Sequence, residues 1–271
     1  MRDMRVVGGY SAASLRHAYQ SASDNAHARI DLTRAGFFSP AGVIAVCVFA
    51  DRAVRDGRSV ELLAPENPNI ANYLARMRLS VALTTLGVSH NLPSVREHNT
   101  GGSLLELHRF DAKTGVETLA AHVFEQTEGH HPKAAAAIFK CIATTCENVG
   151  DHSKRRHGYV LAQKTYDQTK LHFAVADAGQ GFRASLRTRG AASSAEALDM
   201  ATRAGVSGLS DQARGYGLHE MIANLKAVKG NLSLHSGKAS RTEYYTGYVD
   251  RLESKVAIQG SILEGMIPLR G

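Results

Sequence analysis

The chain has 271 residues, 44% of them hydrophobic and 21% charged, a balance that excludes a disordered protein and leaves room for two domains of ordinary size. A net charge of +7 favours anionic partners such as nucleic acid, acidic proteins or nucleotides, with a merely solvated basic surface as the plain alternative. Three cysteines (Cys47, Cys141, Cys146) are too few for a disulfide framework, and no apolar run approaches the roughly 20 residues of a membrane helix, so a cytoplasmic protein without membrane contact is expected.

Taken in order, the N-terminal part alternates strands and helices. Arg5 to Val7 reads as a strand, Ser11 to Gln20 as a helix and Ala28 to Leu32 as an alternating strand. Gly36 to Gly42 reads as a turn. Val43 to Val54 follows as a buried helix stopped by Gly57. Ser59 to Leu63 is a strand closed by Pro65 and Pro68, and Asn69 to Leu79 a short helix. Gly, Asn and Pro punctuate residues 87–103, which mark a linker and divide the chain into domains at 1–100 and 101–271. Beyond it, Ser103 to Phe110 predicts a strand and Gly115 to Gln126 a helix. Pro132 to Val149 predicts one long helix, with proline in its first turn. Leu171 to Val175 alternates as a strand, and Leu218 to Val228 reads as a helix. Leu232 to Leu234 and Tyr244 to Tyr248 read as strands, as does the end of the chain up to Pro268. The whole is an α/β protein.

Three polar boxes interrupt this pattern. The first is Glu147-Asn148-Val149-Gly150-Asp151-His152-Ser153, at the end of the long helix. The second, Asp177-Ala178-Gly179-Gln180-Gly181, follows a strand. A buried Asp there accepts a hydrogen bond from an exocyclic amine, and the glycines let backbone approach a flat ring. The third, Arg214-Gly215-Tyr216-Gly217-Leu218, opens a helix whose N-terminal N–H groups suit phosphate. The basic run Lys154-Arg155-Arg156-His157 adds charge suited to face that phosphate. No C-x-x-C pair or G-x-S-x-G elbow points to zinc or to a serine hydrolase. Trp is absent, and no helix-turn-helix is visible for nucleic acid.

Together and in this order, the boxes resemble the ATP-binding domain of the GHKL superfamily, which includes gyrase, heat-shock-90 chaperones, sensor histidine kinases and anti-sigma-factor serine kinases. The resemblance implies a Bergerat-type α/β sandwich that binds ATP and Mg²⁺. Asn148 would carry the magnesium, and His152, four residues on, would flank the nucleotide. Asp177 would read the adenine amine, with Gly179 and Gly181 in the adjoining turn. Ala184 to Arg214 would form a lid. Arg214, Gly215, Gly217 and Leu218 would meet the phosphates, and Ser261 would stand for the family's closing Thr. One departure matters: where many relatives have a general-base Glu four residues before the Asn, this chain has Thr144. Glu147, about 100° around the helix from Asn148, is expected to point elsewhere and is the remaining candidate base.

The segment Ala28 to Leu86, with its Phe38-Ser39-Pro40-Ala41-Gly42 turn before a long helix, resembles a STAS-type domain of anti-sigma-factor antagonists. Pro40 stands at the usual phospho-Ser position and Ser39 at the preceding Asp position, so phosphorylation at that spot is expected to be lost. Ser39 is expected instead to cap the helix. The two resemblances imply a signalling protein in which ATP regulates a protein partner. The alternative is a nucleotide-binding module without turnover that contacts nucleic acid or an acidic protein. A homodimer is left open. No His-Glu-x-x-x-Pro phosphoacceptor box is present for a sensor histidine kinase proper.

Overall fold

A computed structural model describes residues 2–21, 26–95, 104–114, 116–129, 131–206 and 216–269. Two five-stranded sheets face each other across one buried helix. The first sheet comprises β1 (Arg2–Tyr10), β2 (Tyr19–Ser21), β3 (His27–Phe38), β4 (Ser59–Leu63) and β5 (Ser89–His90), ordered β2-β1-β3-β4-β5. Its β1, β3, β4 and β5 run parallel, and β2 pairs antiparallel to β1. The second sheet comprises β6 (Leu104–Asp111), β7 (His157–Lys164), β8 (Lys170–Asp177), β9 (Asn231–Glu243) and β10 (Val249–Pro268). It is antiparallel throughout, in the order β6-β7-β8-β10-β9.

Helix α1 (Pro40–Arg55) lies between the sheets, and every residue from Pro40 to Ala50 is buried. A helix apolar on all sides must be covered on all sides. Its partners on the second sheet are Tyr159 and Leu161 of β7, Ala174 and Ala176 of β8 and Ile262 of β10. Alternate residues of the same strands, Val160, Phe173, Val175 and Leu263, form the core of the opposite face. There α4 (Val116–Glu128), α5 (Pro132–His152), α7 (Ser194–Ala201) and α8 (Gly217–Ala227) pack. Small side chains at Ala174 and Ala176 suit the close passage of α1. Two short helices, α2 (Pro68–Arg76) and α3 (Leu79–Thr85), complete the layer beside α1, and α6 (Gly181–Ser185) follows β8.

The N-terminus of α1 is sealed by the second sheet. Ser39 caps the helix, its hydroxyl oxygen accepting from the Gly42 N–H at 3.3 Å. The Glu264 carboxylate of β10 accepts from the Ser39 hydroxyl and the Ala41 N–H. Burial raises the Glu264 carboxyl above the usual range, against the pull of those two hydrogen bonds.

Several local expectations give way to tertiary pairing. Ser11 to Gln20 is not an α-helix: a 3₁₀ turn over Ala12–Ala18 ends where Tyr19 leaves to pair with Met4 at the sheet edge. The expected turn at Gly36 to Phe38 is strand, because β3 stays paired with β1 up to Phe38. The helix predicted over Asn69 to Leu79 is α2, which ends at Arg76; Arg78 takes φ 62°, and a second helix, α3, starts at Leu79. Tyr244 to Tyr248 forms the β9–β10 turn rather than a strand, with the Gly247 N–H donating to the Tyr244 carbonyl at 2.9 Å. Within the expected linker, Ser89–His90 is strand β5, paired with β4, and residues 96–103 lie outside the described ones.

Candidate functional site

Helix α5 begins at Pro132, capped by His131, whose ring nitrogen accepts from the Ala134 N–H. It runs unbroken through Gly150 to His152, one turn beyond the predicted end. Its apolar side, including Ile138, Cys141, Ile142, Cys146 and Val149, is buried against the second sheet. The three cysteines are free and buried. Thr144, Glu147, Asn148, Asp151 and His152 follow the i, i+3, i+4, i+7, i+8 spacing of one helix face, and all five line a cavity of about 590 Å³. Glu147 and Asn148, successive on the helix, both border this cavity.

The floor is the end of β8. Asp177 is 3% exposed. Its Oδ1 accepts from the Gly179 N–H at 2.7 Å, and its Oδ2 accepts from the hydroxyl of Ser261, its register partner on β10. Burial raises the Asp177 carboxyl above the ordinary carboxylate range. The Ser261 and Gly179 hydrogen bonds and the charges of Arg55 and Arg155 pull it back only in part. Gly260 makes this pairing sterically feasible: it takes φ 62°, and a Cβ there would lie 1.8 Å from the Asp177 carbonyl oxygen. Apolar walls come from Val175, Leu263, Phe182, Leu186 and Val206.

Opposite the α5 stripe stands the N-terminus of α8. Gly217 and Leu218 line the cavity there, and Tyr216 stands beside them. Gly217 is needed for the close approach of α8 to α5, since a Cβ would meet the Thr144 methyl at 2.8 Å. A Lys140–Glu220 ion pair at 2.8 Å holds the same two helices together. Lys113 puts a cation on the wall.

Of the residues singled out in the sequence, Glu147, Asn148, His152, Asp177, Gly181, Gly217, Leu218 and Ser261 come together around this cavity, and Gly179 donates to Asp177 just behind it. Arg214 and Gly215 lie outside the described residues, as does the end of the proposed lid. Residues 184–206 of that lid are folded. Helix α7 opens with a Ser193–Glu196 capping box and buries Ala197, Leu198 and Ala201. The run Lys154 to His157 does not line the cavity. Arg156 instead pairs with Asp111 at 2.6 Å, and Arg155 turns towards α1. Asp151, part of the first polar box but without an expected role, also lines the cavity, as does Lys113, for which no local signal exists.

The oxygen-bearing side chains of Asn148, Glu147 and Asp151 on one wall are the hard donors that magnesium prefers. Among the described residues no group of three His, Cys, Asp or Glu side chains is arranged to hold a metal by itself. A magnesium here would take one amide oxygen and draw its other ligands from phosphate and water. Among the described residues no helix is long and apolar enough to cross a membrane. Comparisons with protein-family models, curated proteins and solved structures find no match.

Proposed function

We propose that the chain is a cytoplasmic ATP-binding signalling protein: a GHKL-type nucleotide domain carrying a STAS-like N-terminal domain, with ATP governing how a protein partner docks. The observation that carries the reading is Asp177, a buried carboxylate at a strand end that faces an apolar-walled cavity. An adenine ring fits such walls, and its exocyclic amine satisfies a buried acceptor. Guanine offers a carbonyl at that position, which a carboxylate repels. The triphosphate would run towards Asn148 and the N-terminus of α8, where backbone N–H groups and the helix dipole favour negative charge. Magnesium held by Asn148 would neutralise phosphate charge and fix its orientation.

Titration calorimetry with ATP and GTP in magnesium tests the reading. ATP should bind and GTP should not, and Asp177→Asn should lose the distinction while keeping the acceptor for Gly179. Equal affinity for the two nucleotides would sink the assignment.

A second reading, binding without turnover, has its own support. Thr144 occupies the position four before Asn148 and cannot act as a base at neutral pH. Glu147, next to Asn148 on the same wall, is a carboxylate that keeps hydrolysis open.

A further inference from the structure

The turn that holds Asp177 rests on the N-terminal domain. Ala178, wholly buried and next to Asp177, offers its carbonyl to the Arg55 guanidinium on the last turn of α1. Arg55 is itself aimed by Asp51, one helical turn earlier, through an Nε–Oδ1 ion pair of 2.7 Å. The other oxygen of Asp51 accepts from the Tyr159 hydroxyl of β7 at 3.0 Å. Asp51 thus ties α1 to the second sheet while directing Arg55 onto the turn. Arg155, which follows α5, brings a second guanidinium to the same place. Its charge reaches both Asp51 and Asp177, and its Nε is buried without a hydrogen-bond partner among the described residues. Along α1 the residues from Pro40 to Ala50 are buried, and polar side chains begin at Asp51, where the helix meets the turn below the cavity.

We infer that Arg55 and Asp51 of the N-terminal domain are positioning residues for Asp177, so that the nucleotide site is complete only while α1 is docked on the second sheet. The inference rests on the adenine-reading role proposed for Asp177. A guanidinium on the Ala178 carbonyl fixes the Ala178–Gly179 peptide, whose N–H donates to Oδ1 of the Asp177 carboxylate. A buried carboxylate reads a base only when its own direction is set. By linkage, whatever loosens α1 weakens adenine recognition, and bound nucleotide in turn strengthens the docking of α1. The N-terminal domain would then act as part of the nucleotide site as well as the partner-facing module.

The test compares ATP with ITP, whose base carries a carbonyl where adenine has its amine. The full-length parent, Arg55→Ala, Arg55→Lys and Asp51→Asn are titrated with both. Arg55→Ala is expected to lower the ATP-over-ITP preference about tenfold, the worth of one charge-assisted hydrogen bond. Arg55→Lys should restore part of it, and Asp51→Asn should fall between. A general loss of fold would lower both affinities together and leave the ratio unchanged. If the parent prefers ATP and Arg55→Ala keeps the full preference, the positioning role is overturned while the function stands. Absence of any preference in the parent overturns both. Amide exchange without nucleotide gives an independent reading. In Arg55→Ala the Gly179 and Gln180 amides should exchange faster while those of β4 do not, and unchanged protection at the turn overturns the inference.

Discussion

Helices α1 and α5 lie on opposite faces of the same sheet, and both begin at a proline next to a side-chain cap. The first is buried on every side from Pro40 to Ala50, because a sheet covers it above and below. The second is buried on one side and carries Thr144, Glu147, Asn148, Asp151 and His152 along the other. Two helices against one sheet thus serve different ends. One supplies area removed from water, while the other brings polar groups to a fixed spacing above an apolar floor. A polar stripe on a long helix that packs on a sheet is therefore a better pointer to a site than either helix's length or propensity.

The contrast breaks most visibly if a charge is placed on each helix. Val46→Asp would bury an unpartnered carboxylate at a wholly buried position of α1, a cost of several kcal/mol against a total stability of about 5–15 kcal/mol. No folded protein is expected by circular dichroism. Glu147→Gln on α5 should leave the melting temperature nearly unchanged. Next in size is turnover. Thr144→Glu puts a carboxylate at the position that ATPases of the proposed family use, and a general base is worth on the order of 10²–10⁴-fold. Phosphate release by the parent should be very slow and should rise in the variant. Brisk release by the parent that disappears in Glu147→Gln would assign the base to Glu147 instead.

Asn148→Ala comes third. With magnesium present, ATP affinity should fall about 10- to 100-fold, as for a lost charge-assisted contact. In EDTA the variant and the parent should bind alike, and parent affinity that ignores EDTA would remove Asn148 from the metal. On α1 the matching polar residue is its cap. Ser39→Ala should cost about 1 kcal/mol in urea denaturation. The smallest effect concerns pH. Because the folded-state value of Glu264 is raised above the usual 4.5, its contribution to stability is full below that value and is lost as pH rises through the folded-state value. Glu264→Gln lacks this loss, so melting curves of variant and parent should diverge in the variant's favour from acid towards neutral pH.

Much of the site was legible because it is local. Glu147, Asn148 and His152 lie on one helix, and Asp177 ends an alternating run before two glycines. Ser261 carries a hydroxyl just after Gly260. What was not legible depends on pairing between distant segments. Strand β7 is buried on both faces, so His157 to Lys164 lacks the alternation that marks a half-exposed strand. Tyr19 becomes strand because β1 has an open edge, not because of its neighbours in sequence. Arg55 shows as a basic residue at a helix end, with a partner carbonyl 123 positions away. A helical wheel gives the angle between Glu147 and Asn148 without saying how far around the helix a cavity extends.

The burial of α1 on two sides also has a consequence in time. During synthesis the helix emerges with the first sheet, yet its second cover comes from β7, β8 and β10, the last of which reaches Ile262 about 200 residues later. At about 5–20 residues per second, an apolar helix face waits roughly 10 to 40 s on the ribosome before its lid is made. A fragment ending near residue 95 should therefore need a chaperone or detergent to remain in solution, whereas the 271-residue chain should not.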